Sequence, residues 1–114
     1  MDIERLQEFC LSMPATTEDV KWGDNLVFSV GQKMFCIADL EPPFRCSFKV
    51  REEDFDELCV REGFMPAPYM ARAKWVTVTN NSRMSNAEWE AFIKQSYELV
   101  KAKLPRKTRL SLGI

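Results

Sequence analysis

Apolar residues recur every three or four positions in three segments of the chain, and this spacing predicts three amphipathic helices. The first covers residues 2–12, the second covers residues 52–62, and the third runs from about residue 85 to about residue 103. Ser85 and Glu88 have the spacing of a capping box, in which the serine hydroxyl accepts a backbone N–H at the start of a helix. The helices therefore lie at the beginning, the middle and the end of the chain.

Four shorter segments alternate between apolar and polar residues or are rich in β-branched residues, and both patterns predict strands. They cover residues 26–30, 33–40, 45–50 and 74–79. Gly31 lies between the first two and favours a tight hairpin turn. The element order is then α-β-β-β-α-β-α. We expect an α+β fold of two layers, with helices on one face of an antiparallel sheet.

Three segments lack either pattern. Residues 15–18 are polar and residues 66–68 are Pro-Ala-Pro, and both are predicted to be loops because neither sequence favours regular pairing. Pro105 ends the last helix, and a short basic tail is expected from about that residue.

The strand at residues 45–50 alternates cleanly, so that Arg45 and Lys49 face away from its apolar side. On the last strand we assign Trp75 and Thr77 to that same outer face, because threonines tolerate water better than valines. A tryptophan beside two cations on an open sheet suits base stacking and phosphate binding, and it equally suits an aromatic anchor for a protein partner. The alternative is a tryptophan packed beneath a loop, with the cationic side chains extending past it.

The chain has 114 residues, of which 46% are hydrophobic, and this predicts one folded domain spanning residues 1–114. No apolar stretch reaches the roughly 18 residues of a membrane span, and the first residues lack the pattern of a secretion signal. We therefore expect a cytoplasmic protein without a membrane partner. The sequence contains no histidine, the commonest general base and metal ligand. We expect a non-enzymatic protein with no catalytic residues, no metal and no cofactor.

The four cysteines are Cys10, Cys36, Cys46 and Cys59. No two of them have the spacing of a zinc site or of a redox motif, and we expect buried free thiols. Cys36 and Cys46 fall on neighbouring predicted strands, and the sequence leaves open whether they lie close together.

The formal net charge is only −1, but the charges are unevenly distributed. Residues 1–62 hold 7 basic and 14 acidic side chains, whereas residues 63–114 hold 9 basic and 3 acidic ones. A basic patch, rather than the net charge, decides where a polyanion binds. A simpler interpretation also stays open, because cations near a helix C-terminus complement its dipole. The acidic side chains of residues 52–57 match no calcium-loop spacing and predict a solvated helix face.

Several short motifs, in this order and spacing, resemble the MmcQ/YjbR family. They are Val30–Phe35, Ser47–Val50, Pro66–Val76, Ser96–Val100 and Leu104–Lys107. The resemblance implies a CyaY-like, double-wing fold and a DNA-binding role, and it brings no catalytic residues with it. Many members of the family have a histidine in the loop before the tryptophan. Here that loop holds Arg72 and Lys74 instead, so any role of the histidine is either lost or passes to them.

The leading hypothesis is therefore a non-enzymatic protein, expected to be a monomer, that binds DNA weakly and largely without sequence preference. The residues predicted to contact DNA are Arg45, Lys49, Arg72, Lys74, Trp75, Lys101, Lys103, Arg106 and Lys107. The alternative is a module that binds an unidentified protein or a small ligand through the loop at residues 69–75. That surface would use Tyr69, Met70 and Trp75.

Overall fold

The structure is a computed structural model that describes all residues from 1 to 114. Its helices are α1 (Ile3–Ser12), α2 (Glu52–Cys59), α3 (Asn86–Ala102) and α4 (Arg106–Leu112). Its strands are β1 (Thr16–Lys21), β2 (Asn25–Val30), β3 (Lys33–Asp39), β4 (Cys46–Lys49), β5 (Phe64–Pro66) and β6 (Trp75–Val78). Two single 3-10 turns cover Ala71–Ala73 and Asn81–Arg83.

All six strands form one antiparallel sheet in the order β1-β2-β3-β4-β6-β5. β4 lies inside this sheet, with its Phe48 opposite Cys36 of β3 on one side and Val76 of β6 on the other. The apolar sides of α1, α2 and α3 pack on one face, and 22 buried residues form the core between helices and sheet. This architecture confirms the predicted α+β class.

Strands occupy part of two predicted loops. The prediction of a loop at residues 15–18 is wrong because β1 pairs with β2 along its whole length. It lies at the edge of the sheet with nearly every residue exposed, so no apolar alternation marks it. The loop prediction also fails at Pro66, which ends β5 at the opposite edge. That strand pairs on one side only, and a residue without an N–H is tolerated there.

The basic segment that follows Pro105 folds into helix α4. Gly113 ends this helix in the left-handed conformation, with its N–H donating to the carbonyl of Leu110. Leu104, just before the helix, packs tightly against the β2–β3 turn. A Cβ added to Gly31 would lie 2.7 Å from a methyl carbon of Leu104. The predicted glycine turn is therefore also a close contact of the C-terminal segment.

Aromatic side chains fill the centre of the core. Phe48 stacks on Phe92 at 5.5 Å between ring centroids, and Phe35 meets Tyr97 edge-on at 5.3 Å. The Tyr97 hydroxyl donates to the carbonyl oxygen of Pro14 at 2.5 Å. Helix α3 is thereby fixed both to the sheet and to the end of α1.

Ser96 connects α3 to the interior of the sheet. Its buried hydroxyl donates to the carbonyl oxygen of Phe35 at 2.6 Å and accepts the N–H of Lys49 at 2.9 Å. Since Cys36 of β3 faces Phe48 of β4, Phe35 and Lys49 are the next opposite pair. The serine hydroxyl thus takes the place of a direct backbone hydrogen bond between β3 and β4.

An ion pair joins the end of α2 to the start of α3. Ser85 accepts the N–H of Glu88, as the capping box predicts. The Glu88 carboxylate does not reach back to the serine backbone but accepts two hydrogen bonds from Arg61, both at 2.8 Å. These bonds lower the pKa of the Glu88 carboxyl and raise the pKa of Arg61.

Three of the four cysteines are buried, and all four are free. The sulfur atoms of Cys36 and Cys46 lie 3.4 Å apart, which answers the question that the sequence left open. Burial, more than any other cause, raises the pKa of the Cys36 thiol well above its usual value. These thiols pack as small apolar groups.

Replacing Ser96 by alanine would leave a donor and an acceptor inside the sheet without their partner. We expect Ser96→Ala to lower the free energy of unfolding by about 3 kcal/mol, measured by urea denaturation. The control is Ser111→Ala on the exposed side of α4, which should change stability by less than about 0.5 kcal/mol. Equal losses in the two variants would contradict the bridging role of Ser96.

Candidate functional site

The face of the sheet opposite the helices is covered only by loops. Val76 and Val78 of β6 belong to the core, so Trp75 and Thr77 point to the outer face as predicted. Trp75 is nevertheless only 4% exposed, so the prediction of a solvent-facing tryptophan is wrong and the alternative of a packed tryptophan holds. The loop after β5 doubles back along it: the N–H of Ala67 donates to Trp75, and the N–H of Trp75 donates to Met70.

A groove of about 930 Å³ lies on the rest of this outer face. Ile37, Ser47, Thr77 and Met65 line it and come from β3, β4, β6 and β5. Each is directly opposite the next in the strand register, so together they form a straight row across the sheet. The hydroxyls of Ser47 and Thr77 bind each other at 2.7 Å in the middle of this row. The groove therefore has an apolar floor with a polar centre.

Two exposed aromatic side chains line the groove, and each follows one of the two edge strands of the sheet. Trp22 follows β1 and is 65% exposed, and Tyr69 follows β5 and is fully exposed. Both have a positive φ, 54° for Trp22 and 66° for Tyr69. For bulky residues this left-handed conformation costs about 1–3 kcal/mol, whereas glycine adopts it freely. Stability alone would favour glycine at both positions.

The charged side chains that line the groove are mainly acidic. They are Asp24, Asp39, Glu41 and Arg45. Arg45 lies on the outer face as predicted, but its guanidinium binds Asp39, with Nε 3.1 Å from the carboxylate oxygen. Asp24 and Glu41 have no ion-pair partner. The groove therefore carries two uncompensated negative charges.

The predicted DNA-contacting cations differ in the groups that they contact. Lys49, the last residue of β4, donates to the carbonyl oxygen of Ala73 at 2.5 Å. Partial burial lowers its pKa, and the nearby charge of Lys103 lowers it further. Lys49 and Lys103 therefore share one region, away from the groove.

Arg72 and Lys74 flank Ala73, the residue that Lys49 contacts. Lys74 holds its ammonium 4.9 Å from the ring centroid of Phe55 on the acidic helix α2. Lys101 pairs with Glu98 at 3.4 Å. The remaining three, Arg72, Arg106 and Lys107, are exposed. Arg72 and Lys74 lie within residues 63–87 and the C-terminal members within residues 99–114, and neither segment contains an acid.

The ligand loop predicted at residues 69–75 is partly placed at the groove. Tyr69 and Met70 line it, whereas Trp75 does not. The sequence interpretation missed Trp22, Asp24 and Glu41. The available signal for this site was the tryptophan of the polar Trp-Gly-Asp turn, because a tryptophan in such a turn does not pack in the core.

No group of three or more cysteine and acidic side chains is arranged to hold a metal ion. None of the four helices combines the length and the apolar composition that crossing a bilayer requires.

Comparison with known proteins identifies the family. A family model described as YjbR matches residues 11–99, so the chain belongs to the YjbR family and the resemblance seen in the sequence is confirmed. No curated protein matches the chain.

Two solved structures share the fold. The crystal structure of the Deinococcus radiodurans protein DR2400, whose domain is described as DUF419, has a TM-score of 0.88 and 28% identity, covering 98% of this chain and 88% of that one. A crystal structure of a protein from Pseudomonas syringae has a TM-score of 0.74 and 21% identity, covering 88% of this chain and 99% of that one. Neither description states a function.

The burial of Trp75 can be checked by fluorescence quenching with acrylamide. Of the three tryptophans, only Trp22 is exposed, because Trp75 and Trp89 are both buried. We expect Trp22→Phe to reduce the quenching slope to that of a protein with buried tryptophans only. Trp75→Phe is the matched change and should leave strong quenching. The opposite ranking would show that Trp75 is the solvent-facing indole.

Proposed function

We propose that this member of the YjbR family is a non-enzymatic binding protein whose ligand occupies the groove on the outer face of the sheet. The observation that carries the proposal is the groove itself, with an aromatic side chain exposed on each side. Its volume of about 930 Å³ is within the usual range for ligand sites, about 300–1,000 Å³.

Three of the nine large exposed hydrophobic side chains of the protein line this groove. Trp22, Met65 and Tyr69 are all large, exposed and part of its lining. Single exposed apolar residues are ordinary, but several around one concave surface are typical of an interaction site. A bound ligand would remove this apolar surface from water, at roughly 25 cal/mol for each Å² buried.

The chemistry of the groove favours binding over catalysis. Its central hydroxyls, on Ser47 and Thr77, bind each other. A nucleophilic hydroxyl needs an adjacent general base to remove its proton. With the hydroxyls paired in this way, their natural role is to exchange hydrogen bonds with a ligand.

A fragment screen followed by NMR shift mapping tests the groove. We expect most binding fragments to shift the amides of Ile37, Ser47 and Thr77, since apolar fragments collect where concave apolar surface is exposed. Trp22→Ala combined with Tyr69→Ala should remove most of the hits. Val60→Ala, at an exposed site beyond α2, is the matched control and should keep them. Hits spread evenly over the surface would contradict the proposal.

A second candidate function is weak DNA binding, and one observation favours it. Lys49 lies close enough to Lys103 for the two charges to interact, and Arg106 and Lys107 follow within the same acid-free segment. We infer that Lys49, Lys103, Arg106 and Lys107 form one basic surface, and we call it the basic corner. Four cations at one corner attract phosphate without reading the base sequence, and this suits low specificity.

Titrating a short DNA duplex at two salt concentrations tests the basic corner. Each phosphate contact contributes roughly −0.9 to the slope of log affinity against log salt concentration, so four contacts give a slope of about −3.6. We expect Lys103→Glu with Lys107→Glu to abolish the binding. The variant carrying Trp22→Ala and Tyr69→Ala should bind DNA normally. No binding by the unaltered protein at low salt would exclude this candidate.

A further inference from the structure

We infer that the occupant of the groove is an extended, basic peptide segment of a partner protein. This inference rests on the proposed function and names the class of its ligand. It combines three independent properties of the groove, namely its length, its charge and its aromatic side chains.

The groove has the length of a short peptide. It crosses the sheet from Asn25 on β2 to Met65 on β5, which lie four strand spacings apart. Four spacings of about 4.8 Å each give about 19 Å, and an extended peptide covers that distance with about six residues. A compact small molecule would fill only part of so long a surface.

The charge of the groove selects a cationic ligand. Asp24 and Glu41 have no ion-pair partner, and the only cation of the lining, Arg45, already binds Asp39. A polyanion would meet two uncompensated carboxylates here and be repelled. Lysine or arginine side chains would neutralise them, and such complementarity mainly sets which partner is chosen and how fast it associates.

The exposed aromatic rings favour the same kind of ligand. Guanidinium and ammonium groups bind over the faces of tryptophan and tyrosine, so Trp22 and Tyr69 suit arginine or lysine side chains at the two ends of a peptide. Between them, the hydroxyls of Ser47 and Thr77 and the amide of Asn25 can exchange hydrogen bonds with the peptide backbone. The whole row of the groove is thereby used by one extended segment.

Selection from a displayed library of random octapeptides tests the inference. The library is selected on the unaltered protein, and each enriched peptide is then measured against the variant with Trp22→Ala and Tyr69→Ala. We expect the enriched peptides to carry a net positive charge, to bind more weakly as salt is raised and to lose binding to the variant.

Neutralising the carboxylates isolates the role of charge. Asp24→Asn with Glu41→Gln should weaken the enriched peptides about five- to tenfold, as expected for two exposed charge pairs. The matched control is Asp56→Asn with Glu57→Gln on the helical layer, and it should leave their affinity unchanged.

The possible failures are distinguishable. Neutral or acidic peptides that depend on Trp22 and Tyr69 would overturn the basic ligand but leave the groove as a binding site. If no peptide is enriched, the inference of a peptide ligand is overturned. The fragment screen would still test whether the groove is a binding site. Peptides that bind both proteins equally well would overturn this inference and count against the proposed function as well.

Discussion

The architecture depends on one serine hydroxyl placed inside the sheet. By bridging Phe35 of β3 and Lys49 of β4, Ser96 fixes the position of α3 relative to these two strands. Since β4 is an interior strand of only four residues, its orientation is set by few contacts. Ser47, two residues before Lys49, points away from α3 and forms the middle of the groove on the outer face. The packing of one layer thus determines the geometry of the opposite surface.

The two faces of the sheet solve different physical problems. The helical face buries an aromatic core, in which any unpaired polar group would be costly. The outer face has no helix, and the loop after β5 covers Trp75 while leaving the neighbouring row open. Trp22 and Tyr69 keep strained backbone angles beside that row. A surface that retains such strain and such exposure is better explained by binding than by folding.

The sequence predicted what local patterning controls. Alternation along β4 gave the correct face for Arg45 and Lys49, and the capping residue Ser85 marked the start of α3. Strand β1 escaped prediction because an edge strand exposed on both faces needs no apolar alternation. The burial of Trp75 depends on a loop that folds back on it, and the groove joins residues from five strands. Neither arrangement has a local signature in the sequence.

The polar character of β1 has a consequence for how these molecules meet one another. An open sheet has unpaired backbone N–H and C=O groups along its two edge strands, and these can recruit strands from other chains into cross-β aggregates. Here the edge strand β1 carries the charged residues Glu18, Asp19 and Lys21. The other edge strand, β5, has only three residues and ends at Pro66. Both edges of the sheet are therefore protected against pairing with strands of other chains. The outer face can then stay uncovered without promoting fibril formation.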